Sequence, residues 1–375
     1  MNEDKSTRYN RLQRQIGVAS VVWSALLLAL LLVSGLSEAL RDLAVTIAAA
    51  LAPAPVTRAV ATLVYVVGLT TIVEACTLPL GFYGGFVVER RYGLSTQPLR
   101  AWALDQVKGL ALAVMLGAPA AILLYALIAR YPGGWWLPAA AVFAVIVIGL
   151  ANLAPLLLLP LFYSVKPLGK ASLRERLVAL GDRAGARVLD AYEWGLGAKT
   201  TKANAALTGI GGSRRILVSD TMLAQYTDDE IEVVLAHELA HHVHGDIWKG
   251  LAFETVLILA GFFVASVLLQ HAVPVLGLTG VDDIAGLPML LLAAGAVSVV
   301  MIPVAHAMSR AHERRADAFA LRLTKNPPAF ISAMRRLAQQ NMAEDDPSAL
   351  VQWLFYSHPP IRERIAAAQS FRIQN

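Results

Sequence analysis

Long apolar runs constrain this chain before any other feature does. Residues 16–36, 56–87, 102–129, 135–163, 251–275 and 284–307 are dominated by Leu, Ala, Val, Ile and Phe, and each is long enough to cross a bilayer as a helix. In hydrocarbon only a helix or a closed barrel satisfies every backbone N–H and C=O, and continuous runs of about 20 apolar residues select the helix. Charged residues make up 16% of the chain, against about 25% in soluble domains, and mean hydropathy is +0.56. The expected fold class is a mainly α polytopic membrane protein. The first run is longer than a signal-peptide core, and no small-residue cleavage site follows it, so it reads as a retained span. Residues 38–52 are ambiguous. Glu38, Arg41 and Asp42 precede the apolar stretch 43–51 and Pro53 and Pro55 follow it, which fits a short span or a helix lying in the interface. Glu74 sits inside an apolar run and should face a cavity or a structural partner rather than lipid. The single cysteine, Cys76, excludes an intrachain disulfide and reads as a packing residue.

The spans divide the chain. Residues 1–163 form an N-terminal transmembrane region, 164–248 a soluble segment, 249–307 two further spans, and 308–375 a second soluble segment of helical character. The 88–101 loop, the 164–248 segment and the C-terminal segment are separated by pairs of spans, so all three share one side. All three are rich in Arg or Lys, whereas the 276–283 loop carries Asp282 and Asp283, and the positive-inside rule puts the soluble parts in the cytoplasm. The net charge of +5 lies in these loops and reads as a topology signal, not as a nucleic-acid surface. Ser172 and Glu175 suggest a capping box for a helix running to about Gly185. Strand candidates follow at 188–194, 203–208 and 215–218, with Gly209, Gly211 and Gly212 marking the turn between the last two. Pro327-Pro328 and Pro359-Pro360 suit helix starts.

Within the soluble segment, Thr227 and Glu230 form a second capping box, and Asp228 and Asp229 favour the positive end of a helix. That helix carries His237-Glu238-x-x-His241. Residues four apart share one face, so two imidazoles can hold one metal ion with a carboxylate beside them as general base, the arrangement of zinc proteases. A third protein ligand must come from elsewhere. His244 lies on the same face but about 10 Å along the helix, and His242 points off it. Glu313 and Asp317, just after the last span, share a helical face on the same side of the membrane. Glu313 is placed as the third ligand, with His312 as its rival, and Asp317 as acceptor of a hydrogen bond from a ligand histidine. His358, fixed before Pro359-Pro360, fits either a donor to a developing oxyanion or a helix-capping histidine.

At this point the chain resembles the type I CAAX prenyl endopeptidases, integral-membrane zinc proteases of gluzincin type. The similarity runs from about residue 77 onward. It rests on the loop 88–97, Pro160-Leu161-Phe162 through Lys166-Pro167-Leu168, Asn204-Ala205 with Thr208-Gly209, Arg214-Arg215-Ile216 and Asp220-Thr221-Met222-Leu223. His237-Glu238-x-x-His241, Glu313-x-x-Ala316-Asp317 and His358-Pro359-Pro360-x-x-Glu363-Arg364 complete it in order. The resemblance implies one Zn2+ on His237, His241 and Glu313, Glu238 as base, a transition-state role for His358 and a supporting one for Arg364. It implies a ring of about seven spans around a water-filled chamber, with 38–52 as a short second span. It also implies that Asn204 and Ala205 bind substrate backbone as an added strand. One departure bears on substrate choice: Lys199-Thr200-Thr201-Lys202-Ala203 stands where the family often has a basic residue, serines and a histidine.

The expected activity is hydrolysis of peptide bonds in a peptide or protein substrate, prenylated in CAAX-type processing. The Ala- and Leu-rich composition points to a bacterial cytoplasmic membrane rather than the endoplasmic reticulum. Two rivals stand beside this reading: a general quality-control protease, and a membrane scaffold that binds peptides without cutting. Glu238 argues against the scaffold, which has no need of a base.

Overall fold

The computed structural model describes residues 4–209 and 214–371, so the expected turn residues Gly211 and Gly212 lie outside the described residues. The chain opens with α1 (Lys5–Val33), α2 (Leu36–Leu51) and α3 (Thr57–Phe82), which continues through a π-helical turn (Tyr83–Val88) into the short α4 (Glu89–Arg91). Next come α5 (Leu99–Arg130) and the run at 135–163, which is broken at Leu158 into α6 (Trp136–Leu157) and α7 (Leu159–Phe162). The first soluble segment holds β1 (Val165–Pro167), α8 (Ala171–Arg183), β2 (Asp190–Trp194), β3 (Ala205–Thr208), β4 (Arg215–Ser219), α9 (Asp220–Gln225) and α10 (Asp228–Val243). The long helices α11 (Asp246–Val275) and α12 (Leu287–Thr324) follow, then α13 (Pro327–Gln340), α14 (Ala349–Phe355) and α15 (Ile361–Ser370).

Among the described residues, six helices are long and apolar enough to cross a membrane: α1, α3 with its extension, α5, α6, α11 and α12. Only 11–28% of the most apolar stretch of each is buried within the protein. That much exposed Leu, Val and Phe belongs in lipid, where the helical backbone satisfies itself. The start of α1 sits at the soluble end: Tyr9 Oη donates to Glu89, Asn10 Nδ2 donates to Met342 O at 2.7 Å, and Arg14 pairs with Glu344 at 2.5 Å. At the other end Ser37 Oγ donates to Ala285 O at 2.6 Å, Arg41 pairs with Asp283 at 2.5 Å and Arg58 with Asp282 at 2.9 Å.

The start of α2 and the start of α3 thus both lie at the far end. Instead of the short second span that the resemblance implies, α2 packs along the outer part of α3 and does not return to the soluble end. The physical reason is length and charge. Its 16 residues reach about 24 Å, short of a roughly 30 Å hydrocarbon core, and its first turns carry Arg41 and Asp42. Gly68 permits the close approach, since a Cβ there would lie 2.8 Å from Leu40 Cδ1.

All six long helices line one interior cavity of about 410 Å³, with Leu28, Glu74, Gly117, Phe143, Phe262 and Leu290 in its wall. Its lining is apolar except for Thr70 and Glu74, so the Glu74 carboxylate opens onto the cavity. A second carboxylate, Glu254, lines a cavity of about 230 Å³ between α6, α11 and α12.

In the soluble part the strands form one sheet in the order β1-β2-β4-β3. β2 runs parallel to β4, and the outer strands are antiparallel to their neighbours. Ala191, Ala205, Ile216 and Val218 bury one sheet face in a core shared with α8, α10 and α13. The expected strands are present, the first two shortened by two residues and the third extended by one to Ser219, and β1 is an addition that sequence pattern did not flag. Ser172 does not cap its helix. The helix begins one residue earlier, at Ala171, with Lys170 as its extended N-cap and no side-chain cap, so Ser172 lies inside the first turn.

The capping box on α10 is complete: Thr227 Oγ1 accepts from Glu230 N–H, and Glu230 Oε2 accepts from Thr227 N–H at 2.8 Å. Glu230 is buried and also accepts from Ser332 Oγ at 2.5 Å and Arg336 Nε at 2.9 Å, which ties the start of α10 to α13. We expect Thr227→Ala to lower stability by about 1 kcal/mol through the lost cap. Glu230→Ala should lower it further, because three donors then lose their acceptor. Thermal melting of the detergent-solubilised protein checks this, and equal melting of both variants and parent would refute it.

Candidate active site

Two helices build the site. α10 is buried almost all round, and its wholly buried Ala236 and Ala240 leave little bulk beside the packed α12. On α12, Ala316 and Ala320 are equally buried. Small residues at such a contact let backbones approach, which brings a ligand-bearing face of each helix together. At 38 residues, α12 is one rod of about 57 Å that leaves the apolar bundle and carries Glu313 and Asp317 into the soluble core.

The structure brings His237, His241 and Glu313 together, with one ligand atom from each within 4.8 Å of the others. His237 Nε2 lies 3.2 Å from Glu313 Oε2, and His241 Nε2 lies 3.4 Å from Glu313 Oε1. Tetrahedral zinc with ligands at about 2.0–2.1 Å holds them about 3.3 Å apart, so the spacing fits that ion. The donor chemistry fits as well: two imidazole nitrogens and a carboxylate oxygen. Glu313 Oε2 is buried without a hydrogen-bond partner among the described residues.

The outer ring nitrogens fix the tautomers. Asp317 Oδ1 lies 2.9 Å from His237 Nδ1, and Asp246 Oδ2 lies 3.1 Å from His241 Nδ1. Each imidazole places Nδ1 for donation to a carboxylate and Nε2 toward Glu313, so that Nε2 is the atom offered to a cation once its proton leaves. Asp246 is the residue sequence reading passed over. It ends the motif stretch, and the positive φ of Gly245 (65°) folds the start of α11 back so that its carboxylate meets the histidine five residues earlier. An acid shortly after a metal-helix glycine was the available signal.

Burial alone would lower the pKa of His237, but the carboxylates of Asp317 and Glu313 outweigh it and hold the ring at about 9. For His241 the same contest, with Glu313 and Asp246, also ends in a raised value. A cation entering here displaces protons, so its affinity falls as pH falls. Burial raises the Glu238 carboxyl, with His237 and His241 opposing.

The remaining candidates surround this group. His358 Nε2 lies 3.4 Å from Glu313 Oε1 with 59% of its side chain exposed, which leaves it open to an incoming ligand. Ser357 Oγ lies 2.9 Å from its Nδ1. Arg364 is buried and forks onto Asp317, Nη2 to Oδ1 at 2.6 Å and Nε to Oδ2 at 2.8 Å. His312 turns to Asp246 at 3.7 Å, and His244 packs against Phe319. Asn204 exposes its side chain, and Ala205 follows it on the edge strand β3, beside α10. Lys199 pairs with Asp105 and Lys202 with Glu89, so both lysines of the departing segment tie the edge strand's approach to the helical bundle.

We expect Asp246→Asn and Asp317→Asn each to weaken zinc about 10–100-fold, read by competition with a chelator. Unchanged affinity in either would remove that residue from the site.

Comparison with known proteins gives a consistent picture. Residues 167–372 match the family model described as Peptidase family M48, and residues 2–164 match one described as CAAX prenyl protease N-terminal, five membrane helices. The chain is 33% identical over 316 residues to the uncharacterized metalloprotease YhfN of Bacillus subtilis, covering 83% of this chain and 74% of that one. It is 26% identical over 327 residues to CAAX prenyl protease 1 of Saccharomyces cerevisiae, covering 80% and 69%. The crystal structure of S. mikatae Ste24p superposes with a TM-score of 0.85 over 97% of this chain and 88% of that one, at 23% identity, and so shares the fold.

Proposed function

The chain belongs to peptidase family M48, and from that premise we propose that His237, His241 and Glu313 hold one zinc ion and that Glu238 is the general base of a membrane-embedded endopeptidase. The carrying observation is the convergence of two imidazoles and a carboxylate, from helices far apart in sequence, at tetrahedral spacing. Zinc bound there would polarise a peptide carbonyl and acidify a water. Glu238 takes the proton from the attacking water and delivers it to the leaving amine. His358, exposed beside Glu313, donates Nε2–H toward the carbonyl oxygen as charge develops there, with the Ser357 hydroxyl on its Nδ1. Asp317 and Arg364 hold His237 in the ligating tautomer, and Asp246 does so for His241. Ala205 binds the substrate backbone on the sheet edge, and the exposed Asn204 side chain lies beside it, its own backbone being paired to Ser219.

The substrate class we propose is a peptide ending in a prenylated CAAX motif, supported by the named activity of the yeast relative. A quality-control protease acting without regard to a prenyl group is the second reading, favoured by the relation to a bacterial metalloprotease. A cytoplasmic site on a bacterial membrane is supported by the basic loops at the soluble end.

Matched peptides with and without a farnesylated cysteine, incubated with zinc-loaded protein, decide between the two. Removal of the last three residues from the lipidated peptide alone supports CAAX processing, and equal cutting of both supports quality control. Glu238→Ala should retain zinc and lose about 10²–10⁴ in kcat. Full activity in that variant would exclude the mechanism.

A further inference from the structure

The outer edge of β3 is closed on both sides of one residue. In an antiparallel ladder, residues alternate between exchanging bonds with the neighbouring strand and turning N–H and C=O the other way. Ser219 N–H donates to Asn204 O at 3.0 Å, so Asn204 faces β4. By the register, Ala206 and Thr208 face it too, whereas Ala203, Ala205 and Leu207 turn outward.

Ala203 is taken at both its N–H and its C=O, and Leu207 at its C=O. Ala203 N–H donates to Asn341 Oδ1 at 3.0 Å, and Asn341 Nδ2 donates back to Ala203 O at 3.1 Å, so one side-chain amide imitates a paired strand residue. The preceding Gln340 donates in the same way to Thr201 O at 2.7 Å. At the other side, His242 Nε2–H donates to Leu207 O at 3.2 Å. Ala205 lies between them with neither N–H nor C=O partnered among the described residues. His242 follows His241 on α10, the helix that packs beside β3.

We infer that Asn341 and His242 are specificity-determining residues that leave one open rung, at Ala205, on the edge where substrate adds. This rests on the reading of β3 as the substrate edge and deepens it. A substrate backbone pairs with the strand at a single residue and must leave the strand direction on either side. Long extended segments gain nothing from their length, and chains that bend or end close to the cut are favoured. Exposed strand edges otherwise accept extended partners without limit, so the two side chains also guard the edge against nonspecific pairing.

The test is a backbone N-methyl scan of a short fluorescein-labelled peptide carrying a farnesyl cysteine followed by three aliphatic residues. Binding to zinc-loaded full-length Glu238→Gln protein is read by fluorescence anisotropy, so turnover is not needed. One sensitive position, losing about ten-fold in affinity when methylated, with tolerance two residues to either side, is the expected result. In Glu238→Gln/His242→Phe protein, a second position two residues away should become sensitive as Leu207 O is released. Sensitivity at a series of alternate positions in the single variant would overturn the inference, as would absence of binding at saturating protein. An unchanged pattern in the double variant, shown by circular dichroism to be folded, would overturn it too. If the double variant does not fold, the scan on the single variant decides alone. Cleavage of the unmodified peptide by the parent chain tests the protease reading separately.

Discussion

The Asp317 carboxylate joins three parts of the chain that are remote in sequence. It accepts from His237 on α10 and from both forks of Arg364 on α15, and itself sits on α12. All three groups are buried. Buried ions are stable only when paired and hydrogen-bonded, and here the Asp317 carboxylate accepts from both donors. The charges of Asp317 and Arg364 offset each other, so the Glu313 carboxylate is left to the two imidazoles, whose protons a divalent cation would displace. The same bonds fix the direction of the His237 lone pair, so ligand geometry and domain packing depend on one interaction.

The site is held by elements that continue into the bundle. α11 begins with the His241 partner Asp246 and runs on as a span, and α12 runs from the far end of the bundle to Glu313. The loop at 93–96 adds a third tie, through Thr201 N–H to Leu94 O at 3.0 Å and Thr96 N–H to Lys199 O at 3.1 Å. Because these helices are continuous, the His237–His241–Glu313 group, the sheet edge and the interior cavity belong to one framework. Within it Lys199 and Lys202 are structural ties, to Asp105 and Glu89.

The edge strand of the sheet has little free hydrogen-bonding capacity. β3 has four residues. With its flanks covered by Asn341 and His242, Ala205 alone keeps both outward backbone groups free among the described residues. Neither residue stands out in sequence. An asparagine after a helix reads as a cap, and a second histidine beside His241 reads as a surface residue.

Local chemistry was legible in the sequence. Long apolar runs become spanning helices because lipid allows the backbone no other solution, and Thr227 with Glu230 caps a helix because both partners lie within one turn. His237 and His241 share a face for the same reason, 3.6 residues to a turn. Their meeting with Glu313 was readable only because both segments emerge at the same end of adjacent spans. What required the tertiary structure is whatever depends on two chain segments meeting with no periodic signal to announce it. Asp246 folds back through a positive φ at Gly245, Asn341 lies against Ala203 across 138 residues, and α2 stays at the far end because Arg41 finds Asp283. Periodicity encodes which face of an element is apolar. It does not encode which polar side chain will find a carbonyl on another element, because that is decided by packing after the elements form.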